Sequence, residues 1–105
     1  MRRMVHLGIN PIGALATVPG ARPPANFWAV LEGYISRVST DWFRFGSQNY
    51  VLWTEVDLAE LGSAIKALPG FQNVYILATE FDPAAHKCNG MMTADFWNWL
   101  QRQRL

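Results

Sequence analysis

The stretch Asp41–Phe81 leaves a chain of this kind few ways to fold. Asp41-Trp-Phe-Arg-Phe45 and Tyr50-Val-Leu-Trp-Thr-Glu-Val56 are aromatic and β-branched runs, and Gly46-Ser-Gln-Asn49 between them carries turn residues. Together they predict a β-hairpin. Asp57-Leu-Ala-Glu60 then opens a helix, with Asp57 at the N-cap and Glu60 three residues on as its reciprocal partner. Leu58, Leu61, Ile65 and Leu68 share one face of that helix, and Pro69-Gly70 stops it. Asn73–Phe81, rich in Val, Tyr, Ile and Phe, predicts the next strand. The stretch is scaffold and carries no evident chemistry.

Upstream, Met4–Asn10 alternates, with Val5, Leu7 and Ile9 on one face and His6, Gly8 and Asn10 on the other. That is a strand with one apolar side, and Gly8 implies close approach of another group to its second face. Residues 11–25 hold Pro11, Pro19, Pro23, Pro24, Gly13 and Gly20, with Arg22 as the only charge. They are expected to form a long mobile loop, with capture of a small apolar ligand beneath it as the alternative. Asn26 is placed to cap a helix from Phe27 to Val38, whose stripe is Phe27, Leu31, Ile35 and Val38, flanked by Trp28 and Tyr34. Gly33 weakens this helix by about 1 kcal/mol relative to Ala, and Gly33 and Gly62 are read as points of close packing on a sheet. Asp82–Gly90 is a loop by composition. Thr93 then caps a terminal helix within 93–104, with Phe96, Trp99 and Leu100 as its stripe and Asp95, Arg102 and Arg104 at the ends the helix dipole favours.

The order β-α-β-β-α-β, followed by a further helix, predicts one α+β domain over 1–105. Its architecture is a ferredoxin-like sandwich, a four-stranded antiparallel sheet with two helices on one face. The first strand is central beside the third, and the fourth flanks the first. Tyr75, Leu77 and Phe81 point away from Val74, Ile76 and Ala78, so the second face is apolar too. Either the terminal helix or a second subunit must cover it. The five tryptophans, Trp28, Trp42, Trp53, Trp97 and Trp99, cannot all be fully buried in so small a monomer. With Tyr75, Leu77, Phe81 and Phe96 they form the candidate surface for a two-fold homodimer, another protein partner or a small apolar ligand.

A net charge of +1 lacks the basic stripe of a nucleic-acid binder. Arg44 between Trp42 and Phe45, with Arg37 nearby, is too little for a stacking groove. Arg2-Arg3 and Ala14-Leu-Ala16 imitate a secretory signal, but His6, Asn10 and Pro11 interrupt it, so a first strand is expected there. No apolar run approaches the ~20 residues of a membrane span. Cys88 is the only cysteine, which excludes an intramolecular disulfide and fits a reducing cytoplasm.

Asp82, His86 and Cys88 offer three potential metal ligands within a short loop, but a closed tetrahedral site needs a fourth. The expectation is a solvated loop without a metal or cofactor. A Cys88–His86 nucleophile pair would need unusual geometry at that spacing. Glu55 and Asp57 end the third strand, and Glu80 and Asp82 the fourth. Taking those strands to run oppositely puts the two pairs at opposite ends of the sheet, which excludes an acid–base dyad between them. Asn10 and Glu55 are taken to share one end of parallel neighbouring strands, as a polar site across a dimer axis.

The helix at 27–38, Trp42 with Tyr50-Val-Leu-Trp-Thr54, the helix from Asp57 to Leu68 and the strand Val74–Glu80 together resemble the small SinR-like and VapD-like relatives of the CRISPR adaptation nuclease. The segment Gly90-Met-Met-Thr-Ala-Asp-Phe-Trp-Asn-Trp99 resembles the short helix that ends some of them. The resemblance spans about two-thirds of the chain and implies a ferredoxin-like homodimer. Nuclease members hold a divalent metal through an Asp at the end of the first strand. The matching position here is Asn10, a poor ligand for a hard cation. The resemblance therefore implies fold and dimerisation, with at most a degenerate metal-dependent nuclease, and the chain is expected to act as an interaction or binding module without a catalytic centre.

Overall fold

Alternation of Val5, Leu7 and Ile9 with His6 and Gly8 gives the N-terminal strand one apolar face, and pairing on both of its sides sets it inside the sheet. The computed structural model describes residues 1–84, 89–102 and 104. In it β1 (Arg3–Asn10) pairs with β3 (Asn49–Thr54) on one side and β4 (Tyr75–Phe81) on the other. β2 (Ser39–Phe45) closes the far side of β3. The order is β2-β3-β1-β4, every neighbouring pair is antiparallel, and three helices complete an α+β fold. They are α1 (Phe27–Val38), α2 (Leu58–Lys66) and α3 (Ala94–Gln101).

One face of the sheet carries the main core. Val5, Leu7, Ile9, Tyr50 and Leu52 meet Phe27, Leu31, Tyr34 and Ile35 of α1 and Leu61 and Ile65 of α2. Phe71 closes the end of this layer, its ring stacked on Phe27 with centroids 4.2 Å apart. On the second face the register sets Met4 between Trp53 and Phe81, His6 between Val51 and Thr79, and Gly8 between Asn49 and Leu77. Phe96, Trp99 and Leu100 of α3 bury against Met4 and Val51, with Phe43, Phe45, Trp53, Trp97 and Phe81 packed around them. An eight-residue helix is about 12 Å long, whereas strands of seven or eight residues run for about 25 Å. So α3 closes only part of the face.

Several expectations change. β3 and β4 are both antiparallel to β1 and therefore run the same way as each other, joined by the crossover through α2. Glu55 and Glu80 thus lie at the same end, beside Arg3, and Asn10 lies at the opposite end from Glu55. The last strand begins at Tyr75 rather than Asn73, and the second hairpin strand ends at Thr54 rather than Val56. Asn26 and Asp57 occupy N-cap positions but make no side-chain cap bond, whereas Thr93 accepts from the Phe96 N–H. Gly33 and Gly62 are not close contacts: a Cβ there would meet only side-chain atoms at 3.9 Å.

Residues 11–25 lie against the sheet end through their first turn. The Asn10 side-chain oxygen accepts from the N–H groups of Ile12 and Gly13 at 3.1 and 3.0 Å, an Asx-type turn. A 3₁₀ turn follows at Gly13–Leu15, and Ala14 N–H donates to the Asn73 carbonyl at 2.8 Å. Gly13 is buried there at φ 53°.

Candidate functional site

β4 is an edge strand, and its residues on the second face are Tyr75, Leu77, Thr79 and Phe81. Phe81 packs with the α3 cluster. Tyr75 and Leu77 lie beyond the reach of α3 and remain 59% and 66% exposed. Gly8, Asn10 and Asn49 beside them are small or polar, so a shallow depression runs from Gln48 and Asn49 to Tyr75 and Leu77. A separate open concavity of about 480 Å³ lies between the sheet and the segment Asn89–Met92, with His6, Thr79, Phe81 and Trp97 among its walls. His6 is held there by Asn49, ring nitrogen to amide oxygen at 3.0 Å. The arrangement offers apolar contact area with a few polar groups.

As expected, the tryptophans are not all fully buried. None is exposed in the monomer: Trp99 is buried, and Trp28, Trp42, Trp53 and Trp97 are partly buried and packed against one of the two cores. The sheet has apolar layers on both faces, which gives the monomer room for them. Their number therefore does not require a partner. Among the described residues the large exposed hydrophobic side chains are Tyr75 and Leu77 on β4, Met91 and Met92 before α3, Leu15 and Val18 in the 11–25 loop, and Met1.

Polar candidates resolve into structural roles. The amide oxygen of Asn10 is occupied by the turn that follows it. Glu55 is exposed, 4.0 Å from the Met1 amino group, and Glu80 pairs with Arg3 at 3.3 Å. Arg44 lies over the Trp28 ring at 4.5 Å and donates to Glu32 at 2.9 Å and to the Ser47 carbonyl at 2.7 Å. The same Glu32 oxygen accepts from the Tyr50 hydroxyl at 2.7 Å. Burial raises the Tyr50 pKa far above its usual value, and the bond to Glu32 and that group's charge raise it further, so Tyr50 stays a donor. Arg37 lies over Tyr34 at 5.8 Å. Asp82 accepts from the Ala84 N–H at 2.9 Å, while His86 and Cys88 lie outside the described residues. Among the described residues no three His, Cys, Asp or Glu side chains come together as a metal site.

A structural contact without a signal in the sequence centres on Asp41. Asp41 on β2 accepts from Trp99 Nε1 at 3.1 Å, from Arg104 Nε at 3.2 Å and from Arg102. Arg104 also stacks over the Trp99 ring at 4.3 Å. The latch seats α3 on the sheet and so decides which part of the second face stays open. A single carboxylate in a hairpin and two arginines about sixty positions later give no local signal of this pairing. Burial pushes the Asp41 pKa up, but the bonds from Arg102 and Trp99 and the charges of Arg102 and Arg104 outweigh it, leaving it below its ordinary value. A depressed folded-state pKa stabilises above the unfolded value of about 4 and loses that stabilisation as pH falls through the folded value. Asp41→Ala is expected to cost about 2 kcal/mol at neutral pH, read by urea unfolding with tryptophan fluorescence. The gap from the parent chain narrows below about pH 4; a gap unchanged at low pH would assign the loss to packing alone.

Compared with models of known protein families, with curated proteins and with solved structures, the chain matches none. No helix among the described residues is long and apolar enough to cross a membrane.

Proposed function

We propose that the protein is a ferredoxin-like interaction module that works as a homodimer through the part of its sheet that α3 leaves open, without a catalytic centre of its own. The observation that carries this reading is the exposure of Tyr75 and Leu77, 59% and 66%, side by side on an edge strand. Two large apolar side chains on the exposed edge of a sheet form a surface that association stabilises. The element order and the strand order β2-β3-β1-β4 support the ferredoxin-like assignment. The resemblance to SinR-like and VapD-like proteins supports the same fold and the same two-fold assembly. The metal-dependent nuclease alternative draws no support from Asn10, whose amide oxygen already binds two backbone N–H groups.

Sedimentation velocity over the micromolar range tests this reading. The expected result is a species of twice the chain mass that dissociates on dilution. A monomer throughout that range, with the secondary structure intact by circular dichroism, would overturn it.

A further inference from the structure

The two edges of the sheet are built differently, and the difference selects one of them for pairing. β2 carries a register irregularity between Ser39 and Asp41, the charges of Asp41 and Arg44, and the C-terminal arginines laid across Asp41. Bulges and charges of this kind protect an edge from pairing with another chain. β4 has none of these protections over most of its length. Its register with β1 is unbroken from Tyr75 to Phe81, it contains no proline, and Glu80 is its single charge, already paired with Arg3. Among the described residues no strand pairs with its outer edge.

We infer that β4 pairs with β4 of a second copy, antiparallel about a two-fold axis at Leu77, joining two four-stranded sheets into one of eight strands. This rests on the homodimer reading above and names its interface. An antiparallel pair centred on Leu77 sets that residue opposite its own copy, Tyr75 opposite Thr79, and Ile76 opposite Ala78. Residues directly opposite share a face. The second face then gains an unbroken apolar strip, Tyr75 and Leu77 of one copy running into Leu77 and Tyr75 of the other. The first face likewise joins the Ile76 and Ala78 rows, which flank the main core in each copy. The charge pattern fits a second copy as occupant. Centring on Leu77 places the two Glu80 carboxylates six strand positions apart, about 20 Å, well beyond the ~8 Å screening length at physiological salt. The neutral run Tyr75–Thr79 thus faces its own neutral run, and no like charges meet.

The test is a charge exchange at the axis. Leu77→Lys and Leu77→Glu variants are each studied by sedimentation velocity alone and as an equimolar mixture. Leu77 is 66% exposed, so the monomer tolerates either change, and circular dichroism checks this. Each variant alone places two like charges opposite each other and is expected to dimerise about 100-fold more weakly than the parent chain. The mixture pairs Lys with Glu and is expected to recover the dimer. Either variant dimerising as tightly as the parent, or a mixture of folded variants that stays monomeric, would overturn the interface while leaving the homodimer reading standing. A monomeric parent chain would overturn the homodimer itself.

Discussion

Replacing Gly13 with alanine is expected to cost about 4 kcal/mol of stability, a lowering of Tm on the order of 20 °C for a domain of this size. The cause is local and doubled. At φ 53° the backbone occupies the left-handed region that side-chain-bearing residues rarely adopt. A Cβ there would also lie 1.9 Å from the Asn73 carbonyl oxygen and 2.8 Å from Tyr75 N. Both atoms are backbone, at the entrance to β4, so neither can swing aside as a flexible side chain would. The loop has to lift from the sheet end and give up the bond from Ala14 N–H to Asn73. Gly20→Ala is the control. Its φ of 75° is also positive, but nothing lies within 4 Å, and the expected loss is only about 1 kcal/mol. Urea unfolding of the two variants separates steric clash from backbone strain. Equal losses would refute the docked position of Gly13.

Glu32→Ala is expected to cost about 3 kcal/mol, because one carboxylate oxygen serves two donors. It accepts from the buried Tyr50 hydroxyl and from Arg44, which in turn lies over Trp28. Truncation leaves the hydroxyl without its acceptor and Arg44 without its carboxylate, beside a guanidinium Nε that already has no partner among the described residues. Glu32→Gln keeps an acceptor for Tyr50 and loses only the charge, so about half the cost is expected. Tyr50→Phe removes the stranded donor. Combined with Glu32→Ala it should be less damaging than the sum of the two single changes, a coupling of about 1 kcal/mol or more. Strict additivity in that cycle would show that the hydroxyl and carboxylate act independently.

Much of the framework was legible in the sequence. The stripe Phe27, Leu31 and Ile35 and the pair Leu61 and Ile65 are buried as helical periodicity demands, and the alternation of Val5, Leu7 and Ile9 sets the inward face of the central strand. Thr93 caps as its position suggests. Propensity and period are local properties, which is why they could be read without a structure. The cap bonds expected of Asn26 and Asp57 are absent despite the right residue at the right place, since a cap depends on side-chain direction as well as on identity. β3 and β4 run the same way, opposite to the sequence expectation, which sets Glu55 and Glu80 at one end of the sheet and Asn10 at the other. Each link is local, but end-to-end placement accumulates over the whole path of the chain.

The candidate site was legible only in part. Alternation in the last strand named Tyr75, Leu77 and Phe81 as a second apolar face, and the structure divides that set, partly burying Phe81 against the α3 cluster and leaving the other two open. The tryptophan count pointed toward a partner, and in the monomer Trp28, Trp42, Trp53 and Trp97 stay partly buried, packed on the two faces of the sheet. By itself the sequence determined which residues form strands and helices and which of their faces are apolar, because those follow from periods of two and 3.6 residues. Only the tertiary structure decided how far α3 reaches across the second face. That reach depends on a contact between Asp41 and residues about sixty positions later, Trp99, Arg102 and Arg104, and on a helix too short to span the strands beneath it.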